Sequence, residues 1–332
     1  MGATRPTMLD AFLAMLRAAA EPTRLRLLAL CAEADLSVGE LTQIVGQSQP
    51  RVSRHLKVLC DAGLLDRAPE GTSVFYRMTG DYDGTRLAET LLDFIPLDDP
   101  IVALDRERLD AIRQSRGAAA AGYFRENAAH WHEIRSLHVD DAEVEAALTR
   151  IVGEIRPEML LDIGTGTGRV LQLLGPGLRR GLGVDLSREM LAVARANLER
   201  AGLRNCALRQ ADMYQLPLPD DSFDMITLHQ VLHFAENPQA ALREVFRVLR
   251  PGGYVLLVDF APHELEHLRA DHAHRRLGFS DGQVHQWFEA VGLETEETVY
   301  LPGDPLTVCI WRARAPWRVP ADSPELIMEA GR

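Results

Sequence analysis

The chain is poor in lysine. Among its 36 basic residues only one, Lys57, is a lysine. It has four cysteines, Cys31, Cys60, Cys206 and Cys309, and no CxxC pair. That spacing excludes a zinc ribbon or a thioredoxin-type redox motif, and the thiols are expected as small buried residues of a reducing compartment. No stretch is long and apolar enough to span a bilayer. No basic segment followed by an apolar core and a cleavage site stands at the start, so the expected location is the cytoplasm, away from membranes. Positive charge is also in deficit. A net charge of −12 over 332 residues argues against a protein that coats nucleic acid indiscriminately, while leaving room for a local basic surface. The length allows more than one domain.

Residues 1–95 read as a separate, mostly helical unit. Leu9, Phe12, Leu13 and Leu16 recur at helical spacing. Pro22 suits the first turn of a second helix. Ser37 with Glu40 three residues on makes a capping box for a third. Gly46 ends it, and a fourth helix runs from Gln47 to Ala62. Two strand-like runs, Leu64–Arg67 and Ser73–Met78, flank a turn at residues 69–72 and read as a hairpin. Two helices across a short glycine turn, then a hairpin, make a winged helix-turn-helix. The fourth helix gathers Gln47, Ser48, Gln49, Arg51, Ser53, Arg54, His55 and Lys57 with no acid among them, while Val52, Leu56 and Leu59 are left to pack inward. Gln and Ser suit base edges and phosphates, and Arg and Lys suit phosphate charge. These eight residues are the candidate DNA contacts; the alternative is a solvated helix face.

Residues 96–150 read as a helical connection. Pro96 and Pro100 bracket a break, 106–116 looks helical and exposed, and Gly117–Gly122 suits either a hinge or a helix interior. Residues 151–315 alternate strand and helix, the pattern of a mostly parallel sheet covered on both faces. The segment Leu160-Leu161-Asp162-Ile163-Gly164-Thr165-Gly166-Thr167-Gly168 reads as strand and glycine-rich turn, with a helix starting at Arg169. Its third glycine falls one place early for the dinucleotide fingerprint, where this chain has Arg169. Asp185 closes the next strand, where a carboxylate can accept from ribose hydroxyls. Further strands are expected at 207–211, 225–228, 255–259 and 306–311, and a helix over 263–276. Residues 316–332 read as a loose tail.

Two resemblances follow from these residues. Residues 8–95 resemble the ArsR/SmtB family of bacterial repressors, on the run Ala20-Glu21-Pro22-Thr23-Arg24 through Gly71 and Tyr76. That implies binding of double-stranded operator DNA as a homodimer. The Cys-x-Cys of its metal-sensing members is absent here, where the helix reads Gly39-Glu40-Leu41-Thr42-Gln43-Ile44. Soft-metal sensing needs thiolates, so no metal is expected. Residues 155–315 resemble class I S-adenosylmethionine-dependent methyltransferases of the ubiquinone/menaquinone type. Five motifs carry this: Asp162–Gly168, Val184-Asp185, Gln210-Ala211-Asp212, Phe223-Asp224-Met225-Ile226 and Val248–Gly253. The fold class is therefore α/β: an N-terminal, mostly α winged helix-turn-helix domain plus a C-terminal Rossmann-like methyltransferase domain.

The second resemblance implies S-adenosylmethionine or S-adenosylhomocysteine as ligand. Its candidate contacts are Tyr123, Asp162, Gly164, Gly166, Gly168, Asp185, Leu186, Met190, Asp212, Met213 and His229, with Trp131 and Arg135 in the covering segment. The alternative for these aromatics is packing of that segment onto the sheet. His229, at a strand's carboxyl end, is the candidate catalytic base, with His233 and Asp259 behind it; a plain pocket wall is the alternative. His263 and His267 have i,i+4 spacing but no HExxH, so a solvated helix is expected. Two functions are compatible with the chain. One is a transcriptional regulator that senses the cofactor. The other is an enzyme that methylates a small-molecule acceptor and controls its own gene. In the first, residues 96–150 are the route that the sequence offers for communication.

Overall fold

The computed structural model describes residues 8–70, 73–79, 82–127 and 141–317. The chain forms two compact units. The first holds the described residues of Met1–Asn127 together with His233–Pro238 and Phe260–Phe279. The second holds those of Ala128–Leu232, Gln239–Asp259 and Ser280–Arg332.

In the first unit the order is α1 (Met8–Ala19), α2 (Pro22–Glu33), β1 (Leu36–Ser37), α3 (Val38–Val45), α4 (Gln49–Asp61), β2 (Leu65–Glu70), β3 (Ser73–Met78), α5 (Tyr82–Leu92) and α6 (Pro100–Asn127). The caps fix the turn geometry. Glu21 accepts from the Arg24 amide at 2.8 Å to start α2. Ser37 and Glu40 complete their capping box, and Gly46 closes α3 in the left-handed region at φ +69°. The strands form a three-stranded sheet in the order β1-β3-β2, with Ser37 opposite Phe75 and Arg67 opposite Tyr76. Leu27, Leu28, Leu41, Ile44, Val52, Leu56, Leu59 and Leu64 form a fully buried core.

That core includes Leu109 of α6. Residues 106–116 are thus not simply exposed, as expected. Asp99 caps α6, accepting from the Ile101 and Val102 amides. Arg26 of α2 donates to both carboxylate oxygens of Asp105, at 2.6 and 2.7 Å. Arg108 donates to the Ile44 carbonyl and Arg113 to that of Glu33. The run Gly117–Gly122 lies inside α6 and is not a hinge. Sequence periodicity missed this docking because charged residues, Asp105, Arg108 and Arg113, carry much of it.

In the second unit the order is α7 (Asp141–Ile155), β4 (Met159–Ile163), α8 (Arg169–Leu174), β5 (Arg180–Asp185), α9 (Arg188–Arg200), β6 (Cys206–Gln210), β7 (Phe223–His229), α10 (Pro238–Val248) and β8 (Leu249–Phe260). The short α11 (His267–His272) belongs to the first unit. Then come α12 (Asp281–Ala290), β9 (Glu294–Thr295), β10 (Val299–Leu301) and β11 (Val308–Arg314). The sheet runs β10-β11-β8-β7-β4-β5-β6, with β9 on β11. The pairs among β8, β7, β4, β5 and β6 are parallel, and β10 and β9 pair antiparallel with β11. β4 is the middle one of these five parallel strands, so its carboxyl end lies with those of β5 and β7 along one edge.

The helix expected over 263–276 shrinks to α11. Tertiary hydrogen bonds take its backbone instead: the His263 amide donates to the Leu277 carbonyl at 3.0 Å, and Phe279 to Phe260 at 2.8 Å. Ala273 stops the helix in the left-handed region. The segment is a closed loop with tied ends.

Removing the Asp105 carboxylate leaves the Arg26 guanidinium, 18% exposed, without a counter-charge and with only the longer bond to the Val45 carbonyl, at 3.2 Å. Asp105→Ala should lower the stability of the first unit by about 3 kcal/mol, measured as a shifted urea midpoint. A change under about 1 kcal/mol would mean that Leu109 with the Arg108 and Arg113 bonds docks α6 without this pair.

Candidate functional site

The glycine turn is shaped by its own backbone. Gly164, Gly166 and Gly168 all have positive φ, at 68°, 52° and 81°. At Gly164 a side chain has no room, since an added Cβ would lie 2.2 Å from Val231 Cγ2. Other bonds hold the turn open. The Thr165 amide donates to the Val184 carbonyl at 2.9 Å, and Asn197 of α9 donates to the Thr167 carbonyl at 3.0 Å. The Gly166 amide donates to Asp185 Oδ2 at 2.8 Å.

Asp185 therefore joins turn and strand end. Its other oxygen accepts from the Ser187 amide at 2.9 Å. Burial raises its pKa above the ordinary aspartate value, while the amides of Ser187, Gly166 and Leu186 pull it back. A carboxylate has about four acceptor positions, so these amides still leave room for a hydroxyl donor. Ser187 also caps α9 by accepting from the Met190 amide.

Asp162 is buried on β4, where Thr227 of the neighbouring β7 donates to it at 2.7 Å. Leu186 is 64% exposed just past β5, whereas Met190 is buried. Of these two, Leu186 presents the free apolar surface. Asp212 is exposed, with Oδ1 accepting from the Tyr214 amide, and Met213 beside it is half-buried. His229 ends β7, half-buried. Next to it Gln230 sits at φ +51°, with its amide donating to the Val258 carbonyl. A left-handed non-glycine residue costs about 1–2 kcal/mol. Nothing in the sequence marks that strain.

Not every nominated residue joins this group. Asp224, part of a quoted motif, is structural: Oδ2 accepts from the Glu158 and Met159 amides at the start of β4, and Oδ1 from Arg250. Asp259 is fully buried on β8. His233 is buried in the first unit. Tyr123 lies in α6, but its side chain, like the whole of Trp131 and Arg135, falls outside the described residues. All four cysteines are free. Burial pushes the Cys60 thiol up to about 11 and the Cys309 thiol to about 12, so both are protonated at neutral pH. Among the described residues no three His, Cys, Asp or Glu side chains converge as metal ligands.

In the first unit α4 divides into two faces. Val52, Leu56 and Leu59 point into the core. Ser48, Gln49, Arg51, Arg54 and Lys57 are exposed, and Ser53 is half-buried. Ser48 occupies the N-cap without using its hydroxyl as a cap. Gln47 and His55 are turned inward. Gln47 donates to Thr23 Oγ1 at 3.0 Å, and His55 Nδ1 lies 3.5 Å from the Glu21 carboxylate. The sequence could not separate these two from the others, because long-range partners on α2 decide their direction. The free face is basic, with Arg67 exposed on the wing.

Fold and sites together define a helix-turn-helix unit joined to a unit of class I methyltransferase architecture. The model described as "Bacterial regulatory protein, arsR family" matches residues 21–67. That described as "Methyltransferase domain" matches residues 161–257. The chain carries an arsR-type helix-turn-helix and a methyltransferase domain. Over 106 residues it is 40% identical to "Uncharacterized methyltransferase YcgJ" of Bacillus subtilis, covering 32% of this chain and 42% of that one. Over 168 residues it is 34% identical to "Arsenite methyltransferase" of Aquipseudomonas alcaligenes, covering 40% and 48%. The chain thus spans less than half the length of these two curated relatives. Among solved structures, a chain from the complex that holds the Haloferax volcanii Trm112 methyltransferase activator has the same fold. Its TM-score is 0.51 at 22% identity, over 60% of this chain and 99% of that one.

Gly164→Ala should destabilise the second unit by about 2 kcal/mol or more, combining left-handed strain with overlap on Val231. Thermal unfolding checks this. An unchanged transition would mean that the turn relaxes freely around the added methyl.

Proposed function

We propose that the protein is a transcriptional regulator that binds operator DNA through α4 and the wing. In this reading its methyltransferase domain binds S-adenosylmethionine or S-adenosylhomocysteine as effector. The carrying observation is the Asp185 carboxylate, held between the Gly166 and Ser187 amides beside an open glycine turn. That arrangement suits a ribose diol. Asp162 supplies negative charge beneath the turn for a cationic amino-acid end. Leu186 offers an apolar face for adenine, and Asp212 an acceptor for its exocyclic amine. Gly164, Gly166 and Gly168 let the backbone approach the ligand closely. The donor set is carboxylate, backbone and apolar surface, which fits an adenosyl amino acid.

On the DNA side, Gln49, Arg51, Arg54 and Lys57 form one exposed polar and basic face of α4. Arginine and lysine there neutralise phosphates, and Gln49 reaches base edges. The reading includes a homodimer on DNA and a cytoplasmic protein controlling methionine-cycle genes or its own operon. A ligand that favours one DNA-binding state by about 1–3 kcal/mol shifts affinity about 5–150-fold.

A second reading is an active small-molecule methyltransferase that also regulates its own gene. The strained Gln230 beside His229 favours it, because strain gathers at functional strand ends. Bound S-adenosylmethionine would supply an electrophilic methyl group, and the protein would supply orientation and exclusion of water. His229 would accept a proton from the acceptor. An arsenite acceptor is disfavoured: the free thiols of Cys206 and Cys309 sit on β6 and β11, near opposite edges of the sheet.

Asp185→Asn should weaken S-adenosylhomocysteine binding at least tenfold by calorimetry and abolish its effect on DNA affinity. Ligand-free DNA binding should stay within twofold. A normal ligand response from this variant sinks the sensor reading. Arg54→Ala should weaken DNA binding and lower its salt slope by about one. An unchanged slope would place the phosphate contacts elsewhere.

A further inference from the structure

Two segments that leave the carboxyl ends of the sheet are built into the DNA-binding unit. The chain passes from Leu232 of the second unit to His233 of the first, just after β7, Gln230 and Val231. It crosses again from Asp259 to Phe260 at the end of β8. The segments 233–238 and 260–279 then return to α10 and α12. Both begin at the strand ends where the proposed ligand would lie.

Within the first unit these segments form one piece. The Arg275 and Arg276 amides both donate to the His233 carbonyl, at 3.1 and 3.2 Å. Arg276 also donates to the Glu236 carbonyl at 3.1 Å. The rings of His233 and His274 stack at 4.0 Å, and Phe260 lies 5.4 Å from His233. Phe124 of α6 meets Phe234 edge-on at 4.8 Å.

This piece grips the helix-turn-helix at the root of α3 and the wing. The Arg276 side chain is 6% exposed and pairs with Asp35 at 2.7 Å. Asp35 precedes β1 and the Ser37 cap of α3. Arg269 of α11 sits over the Phe75 ring at 5.2 Å. Phe75 is the residue opposite Ser37 on the wing strand. One arginine therefore holds the residue that leads into β1, and the other a β3 residue paired with β1. Arg113 of α6 adds a longer pair with Glu236 at 3.7 Å.

We propose that segments 233–238 and 260–279 are the coupling element of the sensor, and that Arg276–Asp35 is its clasp. A ligand that shifts the ends of β7 and β8 moves this piece as a body. Because Arg276 is buried, its pair is made or broken rather than stretched. The orientation of α3 and the wing relative to α4 follows. The communication route is then the strand-end loops and not residues 96–150 alone. This inference rests on the sensor reading above.

The test uses the full chain with Arg276→Gln, Asp35→Asn and both together. A labelled duplex from its own upstream region is titrated with and without S-adenosylhomocysteine. Both single variants should bind S-adenosylhomocysteine within about twofold of wild type. Their ratio of DNA affinities with and without ligand should collapse to about one, and the double variant should add nothing. Wild-type-like ratios in both single variants overturn the clasp. Amide hydrogen exchange separates its failure from that of the sensor reading. If ligand leaves wild-type DNA affinity unmoved, the sensor reading fails. The clasp still stands if ligand alters protection over residues 36–41 and 74–78 in wild type and not in Arg276→Gln. If ligand never alters that protection, the clasp fails whatever DNA affinity does. Should Arg276→Gln unfold, Asp35→Asn, at a more exposed site, gives the same readouts.

Discussion

The hydrogen bond from the Gly166 amide to Asp185 sets the geometry on which the methyltransferase half depends. It holds a turn of three left-handed glycines against the end of β5. The Thr165–Val184, Gly168–Thr165 and Asn197–Thr167 bonds define the rest of its path. The same carboxylate accepts from Ser187, which caps α9. One side chain thus orders the loop before α8 and the loop before α9. Its burial raises the cost of charge, and the amides offset part of that cost. The site is preorganised by groups that the fold must satisfy in any case.

The two functional readings share this cradle and differ in what stands at its open end. A regulator needs the strand ends of β7 and β8 to be movable and connected to something. An enzyme needs them to be fixed and to present a base. Within the first unit, the segments that follow β7 and β8 are held densely, by two arginines, a carboxylate and a ring cluster. The catalytic case rests on one half-buried histidine and one strained glutamine. That difference in weight favours the regulator.

Local chemistry was legible in the sequence wherever it was decided locally. The Ser37/Glu40 box, the Gly46 stop, the Ser187 cap and the glycine turn all depend on residues within a few positions of each other. The parallel strands were found because buried runs such as Leu160–Ile163 are short and continuous. What escaped the sequence was set by distant partners. Gln47 and His55 look like their neighbours on α4, yet Thr23 and Glu21 turn them inward. The helical spacing of 263–276 lost to hydrogen bonds that the Leu277 and Phe260 carbonyls accept. No local pattern marks Asp105 and Asp224 as paired, yet each is held by an arginine far along the chain. Gln230 has a left-handed backbone that no residue preference announces.

The scarcity of lysine acquires a chemical meaning once α4 is in view. Lys57, the sole lysine, is exposed on the basic face of that helix. Every other side-chain cation that holds its charge at neutral pH is a guanidinium, inert to acyl donors and always protonated. Amine-directed acylation of a side chain therefore has one address in the whole chain. A single acyl group there would erase a positive charge from the helix face, with no other lysine to share the reagent.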